Sequence, residues 1–140
     1  MPSVRAPFTH SLRVRFSECD MQGHVFNAHY LTYFDLAHTE LLRVAIGSYQ
    51  RLVADGHDLV VAEAQARYRA PAYFDDDLEV SVTLDPLTTT SMTSHFAVSR
   101  AGAVLTEGRL RHVCVDAAGK APWPDWVRAG LAPYVVASGA

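Results

Sequence analysis

An α+β fold, with one long helix against a five-stranded and largely antiparallel sheet, is predicted by three observations. From Ala28 to about Ala45 apolar residues recur at helical spacing. One stretch before this helix and four after it alternate apolar and polar residues with the period of a half-buried strand. The connections between the later stretches are short and rich in Asp, Pro and Gly, which favours hairpins and an antiparallel order.

Taken in order, Phe8 to Phe16 reads as the first strand, with Leu12, Val14 and Phe16 alternating with Arg13 and Arg15. Ser17 to Phe26 breaks that alternation, with Asp20 and Gly23 as turn residues. Asn27 is the candidate N-cap of the long helix, because its side chain can accept from the orphan N–H groups of a first turn. Tyr30, Phe34, Ala37, Leu41 and Ala45 make the apolar stripe, and Leu31, Leu42 and Ile46 widen it. Gly47 ends the helix, and Ser48 to Ala54 adds a further turn closed by Asp55-Gly56. Leu59 to Arg69 is the next strand, interrupted by Ala70-Pro71-Ala72 and followed by the polar turn Asp75-Asp76-Asp77. Leu78 to Leu84 alternates cleanly, as do Ser91 to Arg100 and, after the hairpin signal Ala101-Gly102, Ala103 to Val115. Pro124 to about Leu131 reads as a short terminal helix, and residues 1–140 as a single domain.

Composition excludes several classes. The 140 residues carry a formal net charge of -3 with no basic run, which argues against a nucleic-acid or anionic-membrane surface. Cys19 and Cys114 stand far apart, in no CxxC or Cys/His metal spacing, which fits a reduced, cytoplasmic setting. Neither a secretory h-region nor an apolar run of membrane-spanning length is expected in this sequence. The His and Asp residues show no tight ligand spacing, so no metal is expected.

The chemistry concentrates between Ser17 and Tyr30, where a carboxylate (Asp20), a turn glycine (Gly23) and two histidines (His24, His29) precede the helix. Asp20 can serve as a nucleophile or as a general base for water, and its plain alternative is a turn aspartate. The helix start offers free N–H groups and a positive dipole end to a developing negative charge. Gly23 either lets the loop backbone approach a ligand or serves the turn alone. His24 and His29 either orient water or substrate, or pack within an aromatic-rich stretch. Cys19 beside Asp20 has no partner legible in the sequence that would lower its pKa, and reads as structural. His38 and Glu40 read as interior or interface polar residues.

The run from Arg13 to Tyr30, with its Asp-x-x-Gly-His-Val-x-Asn-x-x-Tyr core, resembles the N-terminal signature of the hotdog-fold acyl-CoA thioesterases of the 4-hydroxybenzoyl-CoA thioesterase class. Tyr68-Arg69-Ala70-Pro71 and Tyr73 to Leu78 resemble that family's second block, and the likeness spans roughly residues 8 to 120. The resemblance implies a hotdog fold, in which the sheet curls around the helix, and hydrolysis of an acyl thioester to free acid and CoA. It implies Asp20 as the catalytic carboxylate, and Asn27 as the position whose backbone N–H polarises the thioester carbonyl, with Gly23 and His24 beside them. It leaves His29 and Tyr30 as substrate-contact candidates, and CoA enters as part of the substrate rather than as a cofactor. A homodimer or homotetramer with sites shared across the subunit interface is also implied.

Members of that family commonly hold the CoA phosphates with Arg or Lys in the turn after the third strand. Here the turn is Asp85 to Ser91 without a basic residue, so hydroxyls and amides of Thr88, Thr89, Thr90 and Ser91 are candidate substitutes, with Arg67, Arg69 and Arg100 as alternative sources of charge. This departure leaves room for an acyl-carrier-protein substrate. The remaining alternatives are a hotdog hydratase or dehydratase and a non-catalytic acyl-CoA-binding protein. A Gly-His-Phe-Pro type loop would mark the hydratase, but His24 is followed by Val25-Phe26.

Overall fold

The computed structural model describes residues 6–136. Strand β1 (Phe8–Arg13) leads through a 3-10 turn (Phe16–Glu18) and the Asp20 loop into helix α1 (His29–Ile46). A short helix α2 (Tyr49–Ala54) follows, then strands β2 (Asp58–Tyr68), β3 (Asp77–Leu84), β4 (Ser91–Arg100) and β5 (Ala103–Asp116). A two-residue strand β6 (Gly119–Lys120) pairs back onto β5, and helix α3 (Asp125–Leu131) lies beyond it. The sheet order is β1-β3-β4-β5-β2, every neighbouring pair antiparallel. The predicted α+β hotdog architecture is the one observed, with β6 added in what the sequence marks only as a turn.

Alternation builds the inner face of this sheet. Leu78, Val80, Val82 and Leu84 of β3 are buried together with Met92, Phe96 and Val98 of β4. They meet Tyr30, Tyr33, Phe34, Ala37 and Leu41 from one side of α1, which the 3.6-residue period collects into a stripe. Each fully buried Leu, Val or Phe contributes about 1.5–3 kcal/mol of hydrophobic stabilisation, so this interface dominates the fold energetics. Phe34 stacks on Phe96 with ring centroids 4.7 Å apart. Gly108 of β5 makes this closeness possible, since a Cβ there would run into the Phe34 ring and the Gln65 carbonyl.

Three local expectations are corrected. Phe16 is not an inward strand residue: β1 ends at Arg13, and the ring stands 78 % exposed against the edge of Phe74. Val14 and Asp75–Asp76 exchange backbone hydrogen bonds just past the strand, and the 3-10 turn then rotates Phe16 out. Asn27 does not cap α1 with its side chain; the cap position is Ala28, which carries no hydrogen-bonding group. Leu31 does not widen the buried stripe and lies on the open side of the helix with Leu36 and Val44. Gly47 ends α1 as expected, at φ 95°, and Ser48 caps α2 through an Arg51 N–H to Ser48 Oγ hydrogen bond of 3.1 Å.

Candidate active site

The loop between β1 and α1 is shaped by its own hydrogen bonds. Asp20 Oδ1 accepts from the Gln22 N–H at 2.9 Å, while the Asp20 N–H donates to the His24 carbonyl and the Gly23 N–H donates back to Asp20. This tight turn needs the positive φ of 85° that Gly23 supplies. Val25 is buried and its N–H bonds Ala72, which ties the loop to the β2–β3 connection. Asp20 is half-buried, and its Oδ2 has no partner among the described residues.

The opposite wall is the start of α1. The His29 N–H bonds the Phe26 carbonyl at 3.0 Å and the Tyr30 N–H bonds the Asn27 carbonyl at 3.3 Å. The N–H groups of Asn27 and Ala28, just ahead of the helix, have no acceptor among the described residues. They sit at the positive end of an 18-residue helix, where an oxygen gaining negative charge is stabilised. The failed side-chain cap therefore has a chemical counterpart: donors that Asn27 does not satisfy stay available.

A cleft of about 450 Å³ brings these walls together, lined among others by Asp20, His24, Asn27, Tyr30, Tyr68 and Arg69. Tyr68 donates its hydroxyl to the Asn27 carbonyl at 3.0 Å, and its ring meets Tyr30 edge-on at 5.5 Å. Tyr30 is buried, and burial pushes its phenol above the usual range, so it is a neutral hydrogen-bonding group. The His24 ring rests near the edge of Tyr73, with Nδ1 3.3 Å from the Val25 carbonyl.

The other candidate residues are placed elsewhere. Gly23 is exposed at the tip of the turn, and His29 is half-buried against Phe26, outside the lining of the cleft. Thr89, Thr90 and Ser91 lie in the β3–β4 turn, away from Asp20 within one chain. Their carbonyls take hydrogen bonds from the Trp123 N–H, the Cys114 N–H and the Trp123 indole respectively. Of the three arginines, Arg69 lines the cleft and pairs with Glu107 at 3.2 Å. Arg100 is held by Asp76 at 2.6 Å, and Arg67 lies in a separate groove crossing β2 to β5. On β2, Glu63 is exposed and paired with Arg109 at 3.6 Å. Cys114 is buried, which raises its thiol pKa, and Cys19 is also a free thiol.

Glu18 is the residue that sequence reasoning missed. It is 5 % exposed, and its carboxylate accepts from the Arg15 N–H and guanidinium and from the Tyr33 hydroxyl. Burial would raise this carboxyl, but these hydrogen bonds and the Arg15 charge outweigh it and hold the pKa below the usual range. The available signal was an Arg three residues before a Glu ahead of the loop, easily taken for a solvated pair.

The family model described as the thioesterase-like superfamily matches residues 14–131. The chain is 33% identical over 110 residues to the acyl-CoA thioester hydrolase YbgC of Escherichia coli O6:H1, covering 78% of this chain and 82% of that protein. A crystal structure of a protein from Thermus thermophilus superposes with a TM-score of 0.84 at 31% identity, over 90% of this chain and 98% of that one. The 1,4-dihydroxy-2-naphthoyl-CoA thioesterase of Synechocystis shares the fold, with a TM-score of 0.84 at 23% identity over 91% of this chain and 96% of its own. A match over most of the chain, joined to a relative of this identity, assigns the molecule: it belongs to the thioesterase-like superfamily of thioester hydrolases.

Proposed function

We propose that this protein is an acyl-CoA thioesterase in which Asp20 and the start of α1 act on opposite sides of the thioester carbonyl. One observation carries the proposal: Asp20 and Asn27 border the same cleft, and the N–H groups of Asn27 and of the adjoining Ala28 have no acceptor among the described residues. The carbonyl oxygen accepts from those N–H groups, which polarises the carbon and stabilises the oxyanion of the tetrahedral intermediate. Asp20 attacks that carbon directly, or takes a proton from a water that attacks it; the CoA thiolate leaves in either case, and water supplies the oxygen of the free acid. Gly23 shapes the turn that presents Asp20, and His24 borders the incoming thioester. Tyr30 and Tyr68 form the floor for the acyl group, and His29 lies at the rim.

The reading includes a homodimer, or a homotetramer built from such dimers. Strand β2 is an uncovered edge of 11 residues that carries Val60 and Val61, and such an edge is normally paired or shielded. Pairing two copies antiparallel along β2 would set the Tyr68 end of one chain beside the Asp58 end of the other. Residues remote from Asp20 in one chain, such as Thr89, Thr90 and Ser91, would then be candidates for the CoA of the partner's site.

The test is CoA release from short, long and aromatic acyl-CoAs by wild type and Asp20→Asn. Turnover that vanishes in the variant is the expected result. Wild-type turnover that persists in Asp20→Asn overturns the mechanism, and wild type inert toward every acyl-CoA but active on an acyl-carrier-protein thioester moves the substrate class.

A further inference from the structure

The two halves of the proposed machinery sit on different elements, and Glu18 is hydrogen-bonded to α1 and stands two residues before Asp20. Asp20 rides on the loop that leaves the 3-10 turn, whereas the Asn27 and Ala28 amides ride on the start of α1. The Glu18 side chain accepts from the Tyr33 hydroxyl of α1 at 2.9 Å and from the Arg15 N–H at 2.8 Å, on the β1 side. Its own carbonyl accepts from the Phe26 N–H at 2.9 Å, immediately before the helix amides. Cys19, the only residue between Glu18 and Asp20, is extended, with φ -91° and ψ 145°. A displacement of Glu18 is thus passed to Asp20 through a single residue. Two buried groups, the Tyr33 phenol and the Glu18 carboxylate, satisfy one another here, and Arg15 balances the charge at 2.8 Å.

We infer that Glu18 is a positioning residue that sets the separation between the Asp20 carboxylate and the helix-start amides. This rests on the thioesterase reading and deepens it. Reacting groups lose rate steeply when they are misplaced, with about 1 Å costing roughly 10²-fold, so a clamp between carboxylate and oxyanion donors acts on turnover more than on binding. Glu18 touches no substrate; it acts through Asp20 and through α1.

Two variants of the full chain test this. Tyr33→Phe removes one hydroxyl from the clamp and keeps the ring, so it leaves the core filled; Glu18→Gln keeps the shape and removes the charge. Hydrolysis of octanoyl-CoA and benzoyl-CoA, thermal unfolding and amide NMR spectra are compared with wild type. The expected result is a kcat about 10-fold lower in Tyr33→Phe and roughly 10- to 100-fold lower in Glu18→Gln, with KM nearly unchanged. Amide resonances from Asp20 to Ala28 shift while those of β3 and β4 stay in place. A kcat within twofold of wild type in both variants overturns the inference, as does a rise in KM alone or a loss of turnover without movement of the loop resonances. If wild type hydrolyses neither thioester, that result bears on the substrate assigned under the thioesterase reading and not on the clamp. The spectra then decide the clamp by themselves: undisturbed Asp20–Ala28 resonances in both variants overturn it, and shifts confined to that stretch support it.

Discussion

Among the described residues the Asp20 side chain makes one hydrogen bond, accepted from the Gln22 N–H, and an asparagine Oδ1 can keep it. Asp20→Asn is therefore expected to lower kcat by roughly 10²- to 10⁴-fold, the range typical of a lost acid–base group, while the melting temperature stays within a degree or two. Steady-state kinetics and calorimetry on the same preparation check this. A second prediction at this scale concerns His38 and His112, whose buried rings stack at 4.3 Å with His38 Nε2 and His112 Nδ1 without a partner among the described residues. Burial, and for His38 the neighbouring His112, holds both pKa values below the ordinary one, so the folded chain keeps them neutral. The unfolded chain takes up these protons near pH 6.5 and the folded chain does not, so stability is full above about pH 7 and falls as pH drops through that value, by up to about 1.4 kcal/mol per pH unit for each site. The carboxyl of Glu18 adds a later loss, starting near the unfolded value of about 4.3, because its folded pKa is lowered. Urea unfolding at pH 8, 6 and 5 should give falling midpoints in wild type and a shallower decline in His38→Leu.

At the scale of elements, two glycines let helices approach their neighbours. A Cβ on Gly108 would strike the Phe34 ring and the Gln65 carbonyl, so β5 could no longer lie close to both α1 and β2. Gly108→Ala is expected to destabilise by about 1–3 kcal/mol, the usual cost of overpacking a tight core, read as a lower urea midpoint at an unchanged m-value. Gly130 plays the same part for α3, where a Cβ would press on the Ala45 carbonyl and the Ile46 side chain of α1. Around that contact Arg51 lies 4.3 Å over the Trp126 ring, and the Trp126 indole donates to Asp55 at 3.0 Å. The helix α3, short by itself, is thus held by tertiary contact rather than by propensity.

At the scale of the molecule, the proposed pairing along β2 makes activity depend on association. Val60 is 50 % exposed at that edge, and a lysine in its place adds a like charge on both sides of a two-fold contact. Val60→Lys is expected to shift sedimentation toward monomer and to lower thioesterase turnover in parallel, with the far-ultraviolet circular dichroism retained. Retention of the oligomer in this variant would move the interface away from β2.

Periodicity together with turn residues determined the order of the five long strands and the main helix, the α+β class and the boundaries of β4, because burial on one face imposes a period of two on strands and of 3.6 on the helix. The loop motif located Asp20 and the helix start as neighbours in the chain, since a short loop leaves its two ends few places to go. What local pattern could not reach depends on residues far apart in sequence. Phe16 looked inward by alternation until the chain turned at Val14 against Asp75 and Asp76. Asn27 looked like a side-chain cap by residue type, yet the helix begins later, at His29, after Ala28. Glu18 carries no signal in the local pattern, because its burial depends on Tyr33, 15 residues away, which folding places against it. Contacts of this kind have no periodic signature; they are decided when packing fixes which side chains meet, and only the tertiary structure contains that information.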